Sequence, residues 1–171
     1  MVQGATALIS FGLAGGLDPG LKPGDVVVPA VVLSNGARLA ADAALARQFG
    51  GLTGHTILAG NTVADTAAGK AALRAATGAD AIDLESGSVA RVAATHGLPF
   101  AIVRAICDPA QRTLPPAALI ALNPSGQIGL VPVLWSVLRR PDQIPGLIAL
   151  GRDAARARRS LLRLVTTFGT D

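Results

Sequence analysis

The stretch DAIDLESGSVARVAATHGLPFAIVRAICD, residues 80–108, decides the fold that the sequence predicts. Its beginning is typical of a short apolar strand that turns acidic, its middle carries apolar residues at helical spacing, and its end is typical of a second buried strand. Because a strand, a crossover helix and a second strand give parallel strands, we expect both strands to end at the same sheet edge. Glu85 and Asp108 follow these ends, so we predict that they face one ligand-binding crevice.

The sequence on either side of this stretch also alternates between strand-like and helix-like segments, which predicts an α/β domain. The predicted strands lie at residues 5–11, 26–28 and 56–60, with further strand within 30–40. The predicted helices lie at residues 41–49, 66–76, 130–138 and 144 to about 168, with an Ala-rich helix after the loop at 114–116. We see no internal repeat or linker. We therefore expect a single domain, residues 1–171, with a twisted mixed β-sheet flanked by helices in three layers.

The composition argues against several classes of protein. Half of the 171 residues are hydrophobic, which excludes a disordered chain. Aromatic residues make up only 3%, so few rings are present on which the bases of a nucleic acid could stack. The net charge of +4 comes from arginines late in the chain, which we interpret as a solvated helix face rather than a nucleic-acid surface.

The single cysteine, Cys107, excludes an internal disulfide and is consistent with a reducing, cytoplasmic environment. The apolar beginning of the chain has no Lys or Arg before Lys22 and is broken by glycines, which is not typical of a signal peptide. No uninterrupted apolar run approaches the roughly 20 residues of a membrane span. The two histidines and one cysteine are scattered, so no metal site is predicted.

A glycine-rich segment follows the first predicted strand, and we expect it to form a turn. Gly12, Gly15 and Gly16 lack a Cβ atom, so an anion or a sugar could approach the main chain closely. The pattern is neither a dinucleotide fingerprint nor a Walker loop, because the Lys-Ser/Thr ending is absent. A tight turn without a ligand is the alternative interpretation.

Glu85 sits where the first strand of the central stretch meets the helix. One interpretation is a carboxylate at a helix N-terminus, stabilised by the helix dipole. The other is a carboxylate that accepts hydrogen bonds from vicinal hydroxyls, as on a ribose. Asp83 lies two residues earlier, so strand alternation would place it on the same face, where it could raise the pKa of Glu85 or bind backbone.

Asp108 stands at the end of the second strand, between Cys107 and Pro109. It is either a turn-forming residue or a general acid, because a carboxyl group at a dry strand end can have a raised pKa. Arg104, inside the strand, is expected to pair with a carboxylate or an anion. No histidine is placed to activate Cys107, which we interpret as a small buried residue rather than a nucleophile.

Four blocks of the sequence, in order, resemble the purine nucleoside phosphorylase and methylthioadenosine/adenosylhomocysteine nucleosidase superfamily. They are ISFGLAGGL (9–17), KPGDVVV (22–28), DLESGSVA (83–90) and PFAIVRAICD (99–108). The hopanoid-biosynthesis-associated phosphorylases are the branch that looks most similar. The resemblance implies a phosphorylase-like fold. Because relatives carry a further segment before the first block, it also implies an N-terminally short domain that lacks the first strands of the family sheet.

The resemblance also implies roles for individual residues. Glu85 would bind the ribose hydroxyls, Leu84 would pack on the sugar, and Asp108 would donate a proton or a hydrogen bond to N7 of the purine. A protonated purine leaves more easily than an anionic one, and a nearby anion stabilises the cationic sugar. The other implied site residues are a phosphate or water loop (Gly12, Ala14, Gly15), a base pocket (Val63, Ala64, Asp83), and Arg104 in an anion-binding or structural role. Two departures are Val63, where relatives often carry a base-stacking Phe, and Leu13, where several carry a phosphate-binding Ser or Thr.

The function predicted on this basis is phosphorolysis of a purine nucleoside-like substrate, with adenosylhopane as one candidate, releasing adenine. Phosphate would be the co-substrate, and no cofactor is implied. The first alternative is a nucleosidase, in which water replaces phosphate. The second alternative is a catalytically incomplete protein that binds a nucleoside or forms an oligomer. Family members commonly form homo-oligomers, so we expect one here.

The C-terminal segment, residues 130–168, is both apolar and rich in arginine. One hypothesis for this pattern is peripheral contact with a membrane surface through the Arg-rich helices. The alternative interpretation is an ordinary core helix whose arginines are solvated.

Overall fold

The computed structural model describes residues 4–121, 136 and 138–168. Within these residues a single seven-stranded sheet has the strand order β2-β7-β1-β6-β5-β3-β4. The strands are β1 (Leu8–Gly16), β2 (Val26–Val27), β3 (Val31–Ser34), β4 (Ala37–Ala40), β5 (Thr56–Ala59), β6 (Ala81–Asp83) and β7 (Phe100–Asp108). The helices are α1 (Ala43–Ala46), α2 (Ala67–Thr77), α3 (Ser86–His96), α4 (Pro116–Ala121) and α5 (Ile144–Phe168). The predicted mixed α/β fold is confirmed.

The core of the sheet is the parallel pair of long strands β1 and β7, paired from Leu8 with Phe100 to Ala14 with Ile106. Nearly every residue of β7 is buried, as the continuous apolar run in the sequence predicted. Ile102 and Ile106 are fully buried, and each such side chain contributes about 1.5–3 kcal/mol of transfer free energy. This pair is the rigid base on which the candidate site is built.

The direction of β6 corrects the prediction made from the central stretch. β6 pairs antiparallel with β1, whereas β7 pairs parallel with β1, so β6 and β7 run in opposite directions with β1 between them. The prediction that the two strands of the central stretch run parallel is therefore wrong. β6 has only three residues and pairs with β1 only at Gly15 and Gly16. Because it starts at the end of β1 and runs backwards, it carries Asp83 towards the middle of β1.

The glycine-rich segment is a second correction, because it is strand and not a turn. β1 continues to Gly16, and the turn comes only after it, at Asp18–Gly20. Gly15 and Gly16 pair with β6, and Gly15 also pairs with Asp108 of β7, so hydrogen bonding from both sides keeps the backbone extended. Within the described residues, the edge of β1 that faces away from β7 has no strand partner from Leu8 to Ala14.

The pairing of β1 with β7 contains one irregularity near its end. Ala14 pairs with Ile106 but Gly15 pairs with Asp108, so Cys107 is an extra residue on β7. Such a bulge changes the direction in which the following side chain points. Cys107 and Asp108 consequently line the same cavity, although consecutive residues of a regular strand point to opposite faces.

The remaining elements agree closely with the predicted ones. The predicted strand within residues 30–40 is the hairpin of β3 and β4, joined at Asn35 and Gly36, which both have positive φ angles. Helix α3 spans the predicted residues and ends at Gly97, in the left-handed conformation. The predicted helix at residues 130–138 lies largely outside the described part of the chain. No helix that the structure describes is long and apolar enough to cross a membrane.

Candidate functional site

A cavity of about 780 Å³ lies beside β1, close to its carboxyl end. Its walls come from β1, β6, the loop before α2, the end of β7, and helices α4 and α5. Of the sequence-predicted site residues, the structure brings nine to this cavity: Gly12, Ala14, Gly15, Val63, Ala64, Asp83, Leu84, Glu85 and Asp108. Glu85 and Asp108 share one crevice, as predicted, although the strands that carry them run in opposite directions.

Arg104 does not line the cavity but organises one end of it from behind. It is fully buried, and its Nε donates to Asp83 Oδ2 at 2.5 Å. Its Nη1 donates to the carbonyl oxygen of Ser10 at 3.0 Å, and its Nη2 donates to Ser10 Oγ at 2.9 Å. The guanidinium passes over Gly12, where a Cβ atom would lie 3.2 Å from Arg104 Cζ. The predicted pairing of Arg104 with a carboxylate is therefore present.

Asp83 is occupied by protein groups. Besides Arg104, it accepts from Ser86 Oγ at 2.5 Å, and both of its oxygens accept from the backbone N–H of Ser86 at 3.2 Å. It therefore binds a backbone donor in the first turn of α3, which has no partner within the helix itself. Of the two predicted effects of Asp83, the structure shows backbone binding.

Glu85 is free to contact a ligand. Its backbone occupies the N-cap position of α3, but its side chain makes no capping hydrogen bond. The side chain is 75% exposed, and Oε2 lies 3.7 Å from Arg104 Nη2. Glu85 does not share a strand face with Asp83, because β6 ends at Asp83. Its position at the start of α3 agrees with the interpretation as a carboxylate at a helix N-terminus. The exposed carboxylate leaves the interpretation as a ribose-binding group open.

The start of α3 is held against the sheet by a close approach. A Cβ atom on Gly87 would lie 2.6 Å from both Ala59 Cβ and Ser34 Oγ, so only glycine fits there. Arg91, one turn later, donates to Ser34 Oγ. The packing of this helix on β3 and β5 thus sets the place of Glu85 at the cavity.

Asp108, on the strand that flanks β1 on the side away from Asp83, is paired with a lysine. The residue is only 6% exposed, and its Oδ2 accepts from Nζ of Lys70 on α2. Its Oδ1 is buried and has no hydrogen-bond partner among the residues that the structure describes. A buried carboxylate oxygen without a partner is costly. This oxygen is therefore a candidate contact for a ligand.

The protonation of Asp108 reflects two opposing influences. Burial raises the pKa of this carboxyl group above its usual range, while the hydrogen bond and charge of Lys70 act in the other direction. Arg112 also lowers the pKa, and Asp153 of α5 raises it. The net direction is upward, which favours a protonated carboxyl group at higher pH than for an exposed aspartate.

Lys70 is the site residue that sequence reasoning missed. It lies in an Ala-rich helix, where a lysine is usually solvated, yet it is fully buried. One signal in the sequence could have found it: Lys70 precedes Leu73, which packs against the core, by three residues, and such residues share a helix face.

Cys107 lines the cavity as a protonated thiol. Burial, together with the neighbouring Asp108 carboxylate, raises the pKa of this thiol to about 11. Its Sγ lies 3.6 Å from the carbonyl oxygen of Ala14. A thiol in this state is a poor nucleophile, which agrees with the sequence-based interpretation.

The rest of the cavity wall is apolar and partly open. Phe11, Leu13 and Leu84 are 39%, 40% and 49% exposed, and the ring of Phe11 packs edge-on against that of Phe49. Further apolar contacts are available from Val63, Leu114, Ala117, Leu147 and Leu150. The arrangement suits a ligand with an apolar body and polar groups at two ends. Among the described residues, no group of His, Cys, Asp and Glu side chains could hold a metal ion.

Solved nucleosidase structures share this fold. A putative methylthioadenosine nucleosidase from Weissella paramesenteroides has a TM-score of 0.59 and 24% identity, over 63% of this chain and 60% of that one. The S-adenosylhomocysteine nucleosidase from Streptococcus pyogenes, in complex with 5-methylthiotubericidin, has a TM-score of 0.56 and 25% identity, over 63% and 56%. The chain thus spans less than two thirds of the length of these two proteins.

A third structure aligns over more of the chain. The 5'-methylthioadenosine/S-adenosyl homocysteine nucleosidase from Helicobacter pylori has a TM-score of 0.62 and 18% identity, over 98% of this chain and 72% of that one. No curated protein sequence matches this chain. A family model described as the phosphorylase superfamily matches residues 1–45 and 36–122, which together make up more than half of the sequence. The chain therefore belongs to the phosphorylase superfamily.

Proposed function

We propose that this chain binds a purine nucleoside in the cavity beside β1 and cleaves its N-glycosidic bond. The observation that carries the proposal is the buried Oδ1 of Asp108, which has no hydrogen-bond partner among the described residues and belongs to a residue that lines this apolar cavity. A carboxyl group with a raised pKa can donate a proton from that oxygen to N7 of a purine. The C1′–N9 bond then breaks, and its electron pair stays with the protonated base.

The part of the cavity wall formed by Leu84 and Glu85 supports binding of the sugar. Glu85 offers two carboxylate oxygens, suited to the two vicinal hydroxyls of a ribose. Leu84, half-exposed beside it, provides an apolar surface for the ring. The negative charge of Glu85 would also stabilise the positive charge that develops on the sugar as the bond breaks.

The nucleophile that attacks C1′ distinguishes two reactions. Phosphate would give a ribose 1-phosphate product, and water would give the free sugar. Main-chain groups on the unpaired edge of β1 near Gly12 and Ala14 offer hydrogen bonds to either. We propose phosphorolysis first, as the sequence resemblance implied, and hydrolysis as the alternative, because several structural neighbours are described as nucleosidases.

The test is release of adenine from methylthioadenosine, adenosylhomocysteine and adenosine, with and without added inorganic phosphate. Release that requires phosphate identifies a phosphorylase, and release without it identifies a nucleosidase. Calorimetric titration with adenine tests the second alternative from the sequence, in which the chain binds a nucleoside without turnover. If the chain neither releases adenine nor binds it, the proposal is refuted. The same assay, with nucleosides that differ at the 5′ position, tests the predicted adenosylhopane-like substrate.

The predicted contact with a membrane surface stays a proposal, supported by one face of α5. Ile144, Ile148 and Leu162 are exposed on this helix together with Arg152 and Arg159. Asp153, the single acidic residue of the helix, is paired with Arg112. Co-sedimentation with phosphatidylserine vesicles is expected to exceed that with phosphatidylcholine vesicles. Equal sedimentation with both would favour the alternative, a core helix with solvated arginines.

The predicted cytoplasmic location and homo-oligomeric state are also proposals. Light scattering on the purified chain measures the second, and a monomeric mass would contradict it.

A further inference from the structure

Lys70 combines complete burial with a full set of hydrogen bonds. Its ammonium group donates to Asp108 Oδ2, to the carbonyl oxygen of Pro109 at 3.0 Å, and to the carbonyl oxygen of Arg112 at 3.0 Å. A protonated lysine has three N–H donors, so this geometry uses all of them. The side chain is therefore held as a cation in one fixed position.

The loop that Lys70 binds comes directly after Asp108. Two further hydrogen bonds join this loop to the segment around the start of α2: Ala67 N donates to Thr113 Oγ1 at 3.2 Å, and Leu114 N donates to the carbonyl oxygen of Asp65 at 2.7 Å. The ammonium group thus fixes the loop and the carboxyl group together. With Oδ2 held by Lys70, Oδ1 is the oxygen of Asp108 that stays free for a ligand.

We propose that Lys70 is a positioning residue for Asp108, which turns the free carboxyl oxygen towards the ligand and limits the pH range in which the carboxyl group keeps its proton. The inference rests on the proposed function only where it assigns proton donation to Asp108. The ion pair and its effect on the titration of Asp108 can be measured without any substrate.

The charged and titratable groups around Asp108 determine the direction of the effect. They are Lys70 from α2, Arg112 from the loop after β7, Asp153 from α5 and the neighbouring thiol of Cys107. Arg112 and Asp153 are paired with each other at 2.5 Å, so their opposite charges partly cancel at Asp108. Lys70 is consequently the main group that opposes the effect of burial.

Loss of Lys70 should therefore raise the pKa of Asp108 further. If the protonated carboxyl group is the proton donor, base release falls as the pH rises through this pKa. In Lys70→Met the fall should occur at higher pH, by about 1–3 units, the range for removal of an adjacent opposite charge. The maximal rate should be lower, because the carboxyl group has lost its orientation.

The experiment compares Lys70→Met with Arg74→Met, a matched control one helical turn further along α2. Arg74 pairs with Asp18 and Asp80 and does not line this cavity. For both variants, the carboxyl carbon of Asp108 is titrated by 13C NMR, and the pH profile of adenine release is recorded. For Lys70→Met only, we expect the pKa of Asp108 and the pH at which adenine release falls to move upward.

Two outcomes would overturn the proposal: an Asp108 titration that is unchanged in Lys70→Met, or a pH profile that moves equally in both variants. If the unmodified chain releases no adenine, the proposed function fails, while the NMR titration still decides the role of Lys70. If Lys70→Met does not fold, 15N NMR of Lys70 Nζ in the unmodified chain replaces it. That resonance must then shift at the pH where Asp108 titrates, and a resonance that does not respond refutes the ion pair.

Discussion

The two parts of the cavity wall that hold Glu85 and Asp108, called its first and second end, are built from the same chemical groups but use them differently. Each end has a fully buried cation paired with a buried aspartate, Arg104 with Asp83 and Lys70 with Asp108. At the first end, both oxygens of the aspartate are bound by protein, and an exposed neighbour, Glu85, lines the cavity. At the second end, the aspartate itself keeps one oxygen that no described residue binds. A buried ion pair can therefore support a neighbouring group or keep one of its own oxygens available to a ligand, depending on which oxygens are already bound.

The largest effect should come from replacing the reactive carboxyl group of the second pair. Asp108→Asn removes the proposed proton donor, and general acid catalysis by a positioned side chain typically contributes about 10²- to 10⁴-fold. We expect adenine release to fall by that factor. The exposed Asp142, replaced by Asn, is the matched control and should leave the rate unchanged. Turnover of Asp108→Asn at the unmodified rate would show that this carboxyl group is not the acid.

The supporting pair should respond through stability. Asp83→Asn leaves the buried guanidinium of Arg104 without its close counter-charge, which typically costs about 3–5 kcal/mol of unfolding free energy. Chemical denaturation measures this loss. Asp42→Asn is the control, because asparagine caps a helix as well as the aspartate that now caps α1. Equal stability of the two variants would contradict the supporting role.

Replacing Glu85 should weaken nucleoside binding without unfolding the chain. Loss of hydrogen bonds to a charged group costs about 1.5–3 kcal/mol, or roughly 10- to 150-fold in affinity. Because the Glu85 side chain is largely exposed, unfolding free energy should change by less than about 0.5 kcal/mol. Calorimetry on Glu85→Gln should show weaker binding of a nucleoside and unchanged binding of free adenine. Equal weakening of both ligands would argue against a ribose contact.

The smallest effect should come from placing an additional methyl group against the ion pair of Arg104 and Asp83. In Gly12→Ala the new methyl group would lie 3.2 Å from Arg104, whose guanidinium is fixed by Asp83 and Ser10. We expect a loss of about 1–2 kcal/mol of unfolding free energy. Gly151→Ala on α5, which has no described atom within 4 Å of its new Cβ, should instead gain about 0.5–1 kcal/mol. A gain in both variants would show that Arg104 can move aside.

The extent to which the sequence predicted this molecule differs between elements and site. Helix α3 and the buried strand β7 were predicted closely, because their hydrophobic periodicity and terminal Gly are local signals. The predicted direction of β6 was wrong, because a strand of three residues carries no sequence signal for the strand with which it pairs. The glycines of β1 were predicted as a turn, since their extended conformation depends on two partner strands that are distant in sequence.

The site shows the same division. Glu85 and Asp108 could be chosen from motif and position, and the cavity brings them together with the other residues that the resemblance implied. The identity of their protein partners could not be predicted. Lys70 reaches Asp108 across 38 residues, and Arg104 reaches Asp83 across 21. Contacts at such separations are decided by packing of the whole sheet rather than by local pattern.

The extra residue on β7 has a consequence for how the site could change during evolution. Deleting the single residue Cys107 would make the pairing of β1 and β7 continuous and would remove the bulge. The backbone hydrogen bonds would become more regular, and Asp108, which already pairs with Gly15, would keep its face of the sheet. A one-codon deletion at the bulge would thus take the thiol of Cys107 out of the cavity wall and leave the carboxyl group of Asp108 in place, so the site would survive it.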